Sequence, residues 1–498
     1  MAVAIATTNQ LAADAGALLS DAGGNAVDVG VAAALVTMVT EPGVCAPGGG
    51  GYITIGGPGM QSVTIDGNVE MPGLGADQAR VGVVDHVARM EYGGGVTTTV
   101  GYCSVATPGG LAALSMALRM WGRMPWSTVL QPAIDIVRRG FPLSSASRHY
   151  LGYSHQSVFG WQQESFEALH RDDGTLFDAG ELIQIPALAR SLEHLAEYGA
   201  RSLYQGDLGA AIAADFEQHG GILTRTDLAA YRPILRPASS LRFGHWTVAT
   251  NPPPAIGGVS LLAMMSGLTI SSNLDEEEVV ARQLWTRRHR LDIEQSGDYV
   301  SGTAALARLL SQAEPGGMRA PSTVHTSAVD RDGLACALTM SAGYGSGLMP
   351  GGTGMWMNNA LGEEELNPAG FHALRPGTRL GSNMAPTIAI SDADEVLAIG
   401  SPGADRITSA LQQTIVRVLA GVMLADAVNA PRLHVEVEGD DVRVAIEPGV
   451  DADALKYPAR TFDALDMYFG GVGAAMWDGA TLIAAADPRR TGGVFVGS

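Results

Sequence analysis

The stretch Pro321-Ser322-Thr323-Val324-His325-Thr326-Ser327-Ala328-Val329-Asp330, continued by Arg331-Asp332-Gly333 and Leu334-Ala335-Cys336-Ala337-Leu338-Thr339-Met340-Ser341, decides how this chain is read. Apolar and small residues alternate from Val324 to Val329 and again from Leu334 to Met340, with Asp332-Gly333 between them, which predicts a β-hairpin. A threonine at the head of such a hairpin, preceded by a small serine, has a chemical use that a mid-chain threonine lacks. If the Ser322–Thr323 bond is cut, Thr323 carries a hydroxyl nucleophile and a free α-amine in one residue. An α-amine titrates near pH 8, far closer to neutrality than a lysine, so it can serve as the base for that hydroxyl. The plainer alternative is a threonine that only starts a strand.

Around this stretch, composition bounds the answer. The chain has 498 residues, 46% of them hydrophobic, with 64 glycines, which fits a packed, turn-rich globular protein. Such a length allows two or three domains or one compact unit, and composition alone allows α/β or α+β. A formal net charge of -20 repels phosphate backbones and anionic lipid, so neither nucleic acid nor a membrane surface is an expected partner. Cys45, Cys103 and Cys336 are widely spaced and read as buried thiols of a reducing compartment. With no basic, cleavable leader visible at the N-terminus, a cytoplasmic location is expected. The 11 histidines are scattered and none forms His-Glu-x-x-His, so no metal and no cofactor are expected.

Taken in order, Gly23-Gly24-Asn25-Ala26-Val27-Asp28 opens an alanine- and valine-rich helix to about Thr40, apolar nearly all round and hence expected in a core. Pro47-Gly48-Gly49-Gly50-Gly51 leads into a strand at Tyr52–Ile55. This glycine cluster lacks a Gly-Lys-Ser/Thr ending and the dinucleotide spacing, so it does not point to nucleotide binding. Helices are expected at Leu111–Trp121 and Ser127–Arg139. Pro252-Pro253-Pro254 with Gly257-Gly258 reads as scaffold, Asp275-Glu276-Glu277-Glu278 as a solvated first helical turn, and residues 311–320 as an exposed linker. After the hairpin come Gly345-Ser346-Gly347, Asn358-Asn359, Arg379-Leu380-Gly381-Ser382-Asn383-Met384 and Gly400-Ser401-Pro402-Gly403-Ala404.

This ordered set resembles the γ-glutamyltranspeptidases of the N-terminal nucleophile hydrolases, and the resemblance covers nearly the whole chain. It implies an α+β fold, the four-layer αββα sandwich, built jointly by two fragments of a self-cleaved precursor. The hydroxyl of Thr323 would attack the Ser322 carbonyl, shift that acyl group from nitrogen to oxygen and leave an ester for water. The products would be a large fragment 1–322 and a small fragment 323–498, associated as a heterodimer. The resemblance further implies that Thr323 then forms an acyl ester with a small-molecule amide and passes the acyl group to water or an amine. It assigns the oxyanion donors to the backbone N–H groups of Gly403 and Ala404, and a supporting hydroxyl to Thr339, for which a satisfied strand threonine is the plainer alternative. His325 is read as structural, and Asp330 and Asp332 as turn formers.

Substrate binding is assigned by the same resemblance to Asn68, Ser341, Asn359, Glu363, Ser382 and Asn383, and here the chain departs from the family pattern. Asn68 stands where an arginine holds the donor's α-carboxylate, Ala360 and Glu363 stand where the family has Gln/Glu and Asp, Ser341 replaces an asparagine, and Ser382-Asn383 replaces a serine pair. Losing one charge-assisted hydrogen bond weakens binding by about 1.5–3 kcal/mol. The expectation is therefore an acyl-transfer machine with an altered glutamate clamp. An acylase or biosynthetic amidohydrolase on a non-glutamyl substrate is the alternative, and a catalytically silent family member is a third reading.

Overall fold

The computed structural model describes residues 1–91, 95–296, 323–367 and 369–497; the predicted linker at 311–320 and Ser322 lie outside them. Two large sheets carry the site. Their strands, in chain order, are β1 (Val3–Thr7), β2 (Gly50–Gly56), β3 (Val63–Gly67), β4 (Ile234–Pro237), β5 (Ser239–Phe243), β6 (Trp246–Thr250), β7 (Val324–Asp330), β8 (Ala335–Ser341), β9 (Thr387–Ser391), β10 (Val396–Gly400), β11 (Gly473–Trp477), β12 (Leu482–Ala486) and β13 (Gly493–Val496). The first sheet runs β13-β1-β7-β8-β2-β3-β4 and the second β12-β11-β10-β9-β6-β5. Every neighbouring pair within them is antiparallel.

Helices α1 (Gln10–Asp21), α2 (Ala26–Thr40), α3 (Gly110–Trp121) and α4 (Trp126–Arg139) share one core with the first sheet. On the far side of the second sheet lie α5 (Ile256–Met265), α7 (Arg406–Leu419) and α8 (Leu424–Asn429), while α6 (Glu276–Ser296) packs against α5 and shares a small core with Leu433, Val435, Val444 and Ile446. Between the two sheets is a thin layer of Ala4, Ala249, Val329, Ala335, Ala337, Ile388, Val396, Ala398, Ala475 and Leu482. Six of these ten are alanine, which lets the sheets approach closely. The result is the αββα sandwich.

Local sequence explains the central elements. Asn25 caps α2 by accepting from Val27 and Asp28 N–H at 3.0 and 3.1 Å, while the Asp28 carboxylate accepts from Asn25 N–H at 3.0 Å, a reciprocal capping box. All fifteen residues of α2 are buried, because the helix lies beneath the hairpin with other helices on its remaining sides. Gly30 is where helix and hairpin come closest: a Cβ there would sit 2.9 Å from Leu338 Cδ1. The hairpin pairs Val324 with Met340 and His325 with Thr339, and nearly all of it is buried. Its alternation thus separates two interior faces. Val324, Ala328, Cys336, Leu338 and Met340 pack toward the helices, and Val329, Ala335 and Ala337 toward the second sheet. The acidic run at 275–278 does open α6, with Asp275 accepting from Glu278 N–H at 3.1 Å. Among the described residues no helix is long and apolar enough to cross a membrane.

Candidate active site

Thr323 stands immediately before β7 and is 4% exposed. Side-chain alternation places Thr323, His325 and Ser327 of this strand, and Thr339 and Ser341 of β8, on the face toward the second sheet. At the mouth of that face is a narrow cleft. Thr323, Asn68 and Ser341 line it together with Glu363, Ser382, Asn383 and Ala404. These residues come from both sides of position 322, and only the fold makes them neighbours.

Each wall has a local reason. After β10 the turn at 401–405 brings Ala404 to the cleft. Gly403 has φ +127° and Ala404 φ +65°, a left-handed conformation that costs a non-glycine residue about 1–2 kcal/mol. Ala404 thus keeps a backbone conformation that glycine adopts freely. The opposite wall is placed by the segment before α5: Ser382 C=O accepts from Ile256 and Gly257 N–H at 2.9 and 3.0 Å, and Asn251 Nδ2 donates to Met384 C=O at 2.8 Å. Ser382 Oγ accepts from Met384 N–H at 3.2 Å, and Ser341 Oγ from Gly343 N–H at 3.0 Å. Glu363 is 1% exposed, and its carboxylate lies so close to Gly343 that a Cβ there would meet Oε1 at 1.9 Å.

Three of the anticipated site residues stand elsewhere than on the cleft wall. Asn359 is spent on scaffold: its Oδ1 accepts from Tyr344 N–H at 2.7 Å, and its Nδ2 donates to Thr98 Oγ1 at 3.0 Å and Thr99 C=O at 3.3 Å. Thr339 lies one register step inside Ser341, opposite His325. Gly403 sits behind Ala404, packed against Gly470, whose Cα a Cβ on Gly403 would approach to 2.8 Å.

A hydrogen-bond chain runs beneath Thr323 through His325, whose structural role by side-chain hydrogen bonds the sequence suggested without naming the partners. Ser327 Oγ donates to Gly473 C=O at 3.1 Å, so its oxygen accepts the His325 Nε2 proton at 2.7 Å. That leaves His325 Nδ1 as an acceptor, filled by the Thr339 hydroxyl at 2.8 Å. Burial pushes the imidazole down to about 3, so it is neutral throughout the working range. The hydroxyl proton of Thr339 is thereby committed, and its lone pairs remain to accept. Gly400 makes room for the ring, since a Cβ there would lie 2.2 Å from His325 Cε1. The only signal in the sequence was the spacing His325-x-Ser327.

The charge balance of the cleft is equally specific. Among the described residues that line it, Glu363 is the only one with an acidic or basic side chain. Asn68 turns its Nδ2 to Leu380 C=O at 2.9 Å. Behind it, Arg379 donates to Asn68 C=O at 2.8 Å, but its guanidinium lies against Glu70 at 3.0 Å and Asp66 at 3.3 Å and stacks over Tyr231. This cation therefore serves the scaffold beneath the cleft and does not line it.

The Gamma-glutamyltranspeptidase family profile matches residues 12–292 and 293–497. The chain is 29% identical over 497 aligned residues to a glutathione hydrolase proenzyme of Escherichia coli, covering 91% of this chain and 84% of that protein. It is 27% identical over 472 residues to the acylase ACY 1 proenzyme of Pseudomonas sp. strain SE83, covering 87% and 82%. In architecture it is similar to the crystal structure of a cephalosporin acylase from Bacillus halodurans, with a TM-score of 0.79 over 99% of this chain and 95% of that one at 23% identity. With the sandwich and the profile match in agreement over almost its full length, the chain belongs to the γ-glutamyltranspeptidase family and is an N-terminal nucleophile hydrolase or acyltransferase.

Proposed function

We propose that Thr323 is the nucleophile, released by scission of the Ser322–Thr323 bond into fragments 1–322 and 323–498. Its Oγ attacks the carbonyl carbon of a small amide while the new α-amine takes the hydroxyl proton. The carbonyl oxygen, now an oxyanion, accepts from the N–H groups of Gly403 and Ala404, and losing one such donor would raise the barrier by about 3–4 kcal/mol. Collapse of the intermediate breaks the C–N bond, and the α-ammonium returns its proton to the leaving amine. Water or a second amine then attacks the Thr323 ester, with Thr339 accepting a hydrogen bond at the nucleophile. The observation that carries this reading is the convergence of Thr323 and Ala404, from two different sheets, on one cleft.

The donor is where this chain parts from a γ-glutamyl specialist. With Asn68 in place of an arginine and the carboxyl side chain of Glu363 among the described lining residues, the site favours an acyl group without a carboxylate over one bearing it. This supports the acylase-like or biosynthetic amidohydrolase reading as the more specific form of the same activity. The thiols of Cys45, Cys103 and Cys336 are all free and buried, which supports a reducing, cytoplasmic location as part of the proposal.

Two measurements test this. A denaturing gel with intact-mass analysis should give fragments ending at Ser322 and starting at Thr323, and Thr323→Ala should give a single inactive chain; an uncut chain that turns over amides would refute the mechanism. In a panel of anilides, 4-aminobutyryl and simple acyl donors should be turned over faster than γ-glutamyl, and glutaryl slowest. A clear γ-glutamyl preference would refute the donor assignment while leaving the nucleophile standing.

A further inference from the structure

Ala404 holds a left-handed backbone at the point where its N–H is needed, and it lacks the freedom of glycine to stay there unaided. A flip of the 403–404 peptide would relieve that conformation and carry the Ala404 N–H to the opposite side of the turn. What opposes the flip is the next residue. Asp405, 3% exposed, opens α7 but does not cap it; its carboxylate is turned outward between two arginines. Arg287 Nη1 donates to Oδ2 at 2.5 Å and Arg406 Nη1 to Oδ1 at 2.6 Å. His434 Nε2 stands 3.7 Å from Oδ2 and is itself oriented by Ser409 at 2.9 Å from its Nδ1. Burial alone would raise the carboxyl's affinity for protons, but the arginines outweigh it and hold Asp405 well below the usual carboxylate range.

The two arginines are anchored differently. Arg406 is local: its Nε donates to Tyr468 C=O at 3.1 Å and its guanidinium stacks on the Tyr468 ring. Arg287 belongs to α6, on the other side of the proposed cleavage point. That helix is fixed by Gln283, which donates to Gln412 at 3.1 Å and accepts from Val435 N–H at 3.0 Å. The Arg287–Asp405 pair therefore ties the strained turn after β10 to a helix on the other side of the proposed cleavage point.

We propose that Arg287 is a positioning residue that, through Asp405, holds the 403–404 peptide with the Ala404 N–H facing Thr323. This rests on the reading of Ala404 N–H as an oxyanion donor. It also explains how a residue without glycine's freedom can hold this backbone: the ion pair supplies the restraint that the side chain of Ala404 opposes.

The test is a cycle of Arg287→Gln and Asp405→Asn, each with and without Ala404→Gly, in processed enzyme with the best anilide donor. Each single variant should lower kcat by about 10- to 100-fold, less than the roughly 100- to 1,000-fold of losing an oxyanion donor outright because the donor is misplaced only part of the time, with KM changed less than about threefold. Adding Ala404→Gly should restore kcat to within about fivefold of wild type, because glycine keeps a positive φ without the restraint. A wild-type kcat for Arg287→Gln, or a deficit that Ala404→Gly leaves untouched, would overturn the proposal. If Arg287→Gln does not accumulate as processed protein, Arg287→Lys, which retains the charge but not the fork, and Asp405→Asn carry the same comparison, and the same two outcomes decide it. Turnover that survives Thr323→Ala would refute the nucleophile itself; turnover abolished there but indifferent to Arg287 would refute only this inference.

Discussion

The proposed change of donor is concentrated in one side chain, Asn68, apart from the chemistry of Thr323. It sits in the cleft wall with Thr323, but it offers no cation, and its amide is turned to Leu380 C=O. Asn68→Arg should raise kcat/KM for a γ-glutamyl anilide by about tenfold or more relative to a 4-aminobutyryl anilide, the value of a charge-assisted hydrogen bond. No change in that ratio would mean the α-carboxylate binds elsewhere. His325 carries a prediction of different kind. Its pKa is lowered by burial to about 3 from 6.5, so below pH 6.5 the unfolded chain takes up a proton that the native ring refuses. Stability contributed by this site therefore falls as pH drops from about 6.5 toward 3. The difference in thermal midpoint between wild type and His325→Asn should shrink on going from pH 7.5 to 5.5. A gap that widens on acidification would show that the native imidazole is protonated. For the same reason no activity limb should appear near pH 6.5; the limb should lie at about 7.7–8, where an α-amine titrates.

At the scale of elements, the hairpin β7–β8 is held by more than its ladder. Asp330 closes its turn by accepting from Asp332 and Leu334 N–H at 3.1 Å each, as expected of a turn aspartate. Its second oxygen, however, accepts from Ala26 N–H at 3.1 Å, at the first turn of α2. One carboxylate thus binds the hairpin to the helix beneath it, at the end of the strand remote from Thr323. Asp330→Ala would leave a buried helix N-terminal donor without an acceptor and should cost about 1–3 kcal/mol in urea unfolding. An unchanged midpoint would show that the helix terminus finds other partners. The pattern of residues announced the turn role, whereas the contact with Ala26 depends on a residue 304 positions away.

For the whole molecule, the order of the first sheet has a direct consequence. The hairpin β7–β8 and β13 follow residue 322, whereas β1, β2, β3 and β4 precede it, and they interleave as β13-β1-β7-β8-β2-β3-β4. Cleavage therefore cuts a connection but leaves every ladder intact. The two fragments should co-elute in native gel filtration and part only under denaturant, and each expressed alone should fail to fold, because it lacks the strands that pair with its own. Recovery of a soluble, folded small fragment by itself would contradict this. The coupling of Arg287 to Asp405 belongs to the same scale, since it joins α6 to a turn of the second sheet across the proposed cleavage point.

The sequence by itself determined the nature of the protein: a hairpin headed by Thr323, the buried helix opened by Asn25 to Asp28, and the glycine-rich turns at 345–347 and 400–404, all of which are local patterns of backbone and cap chemistry. It also marked Asn68 as a departure, because a missing charge is visible without coordinates. Only the tertiary structure decided which of these residues meet. It set Asn359 into scaffold, made His325 the acceptor for Thr339, turned Arg379 away from the cleft and bound Asp405 to Arg287. The physical reason is that hydrogen bonds and ion pairs in a four-layer sandwich join groups by register and layer, over sequence separations that no local pattern encodes.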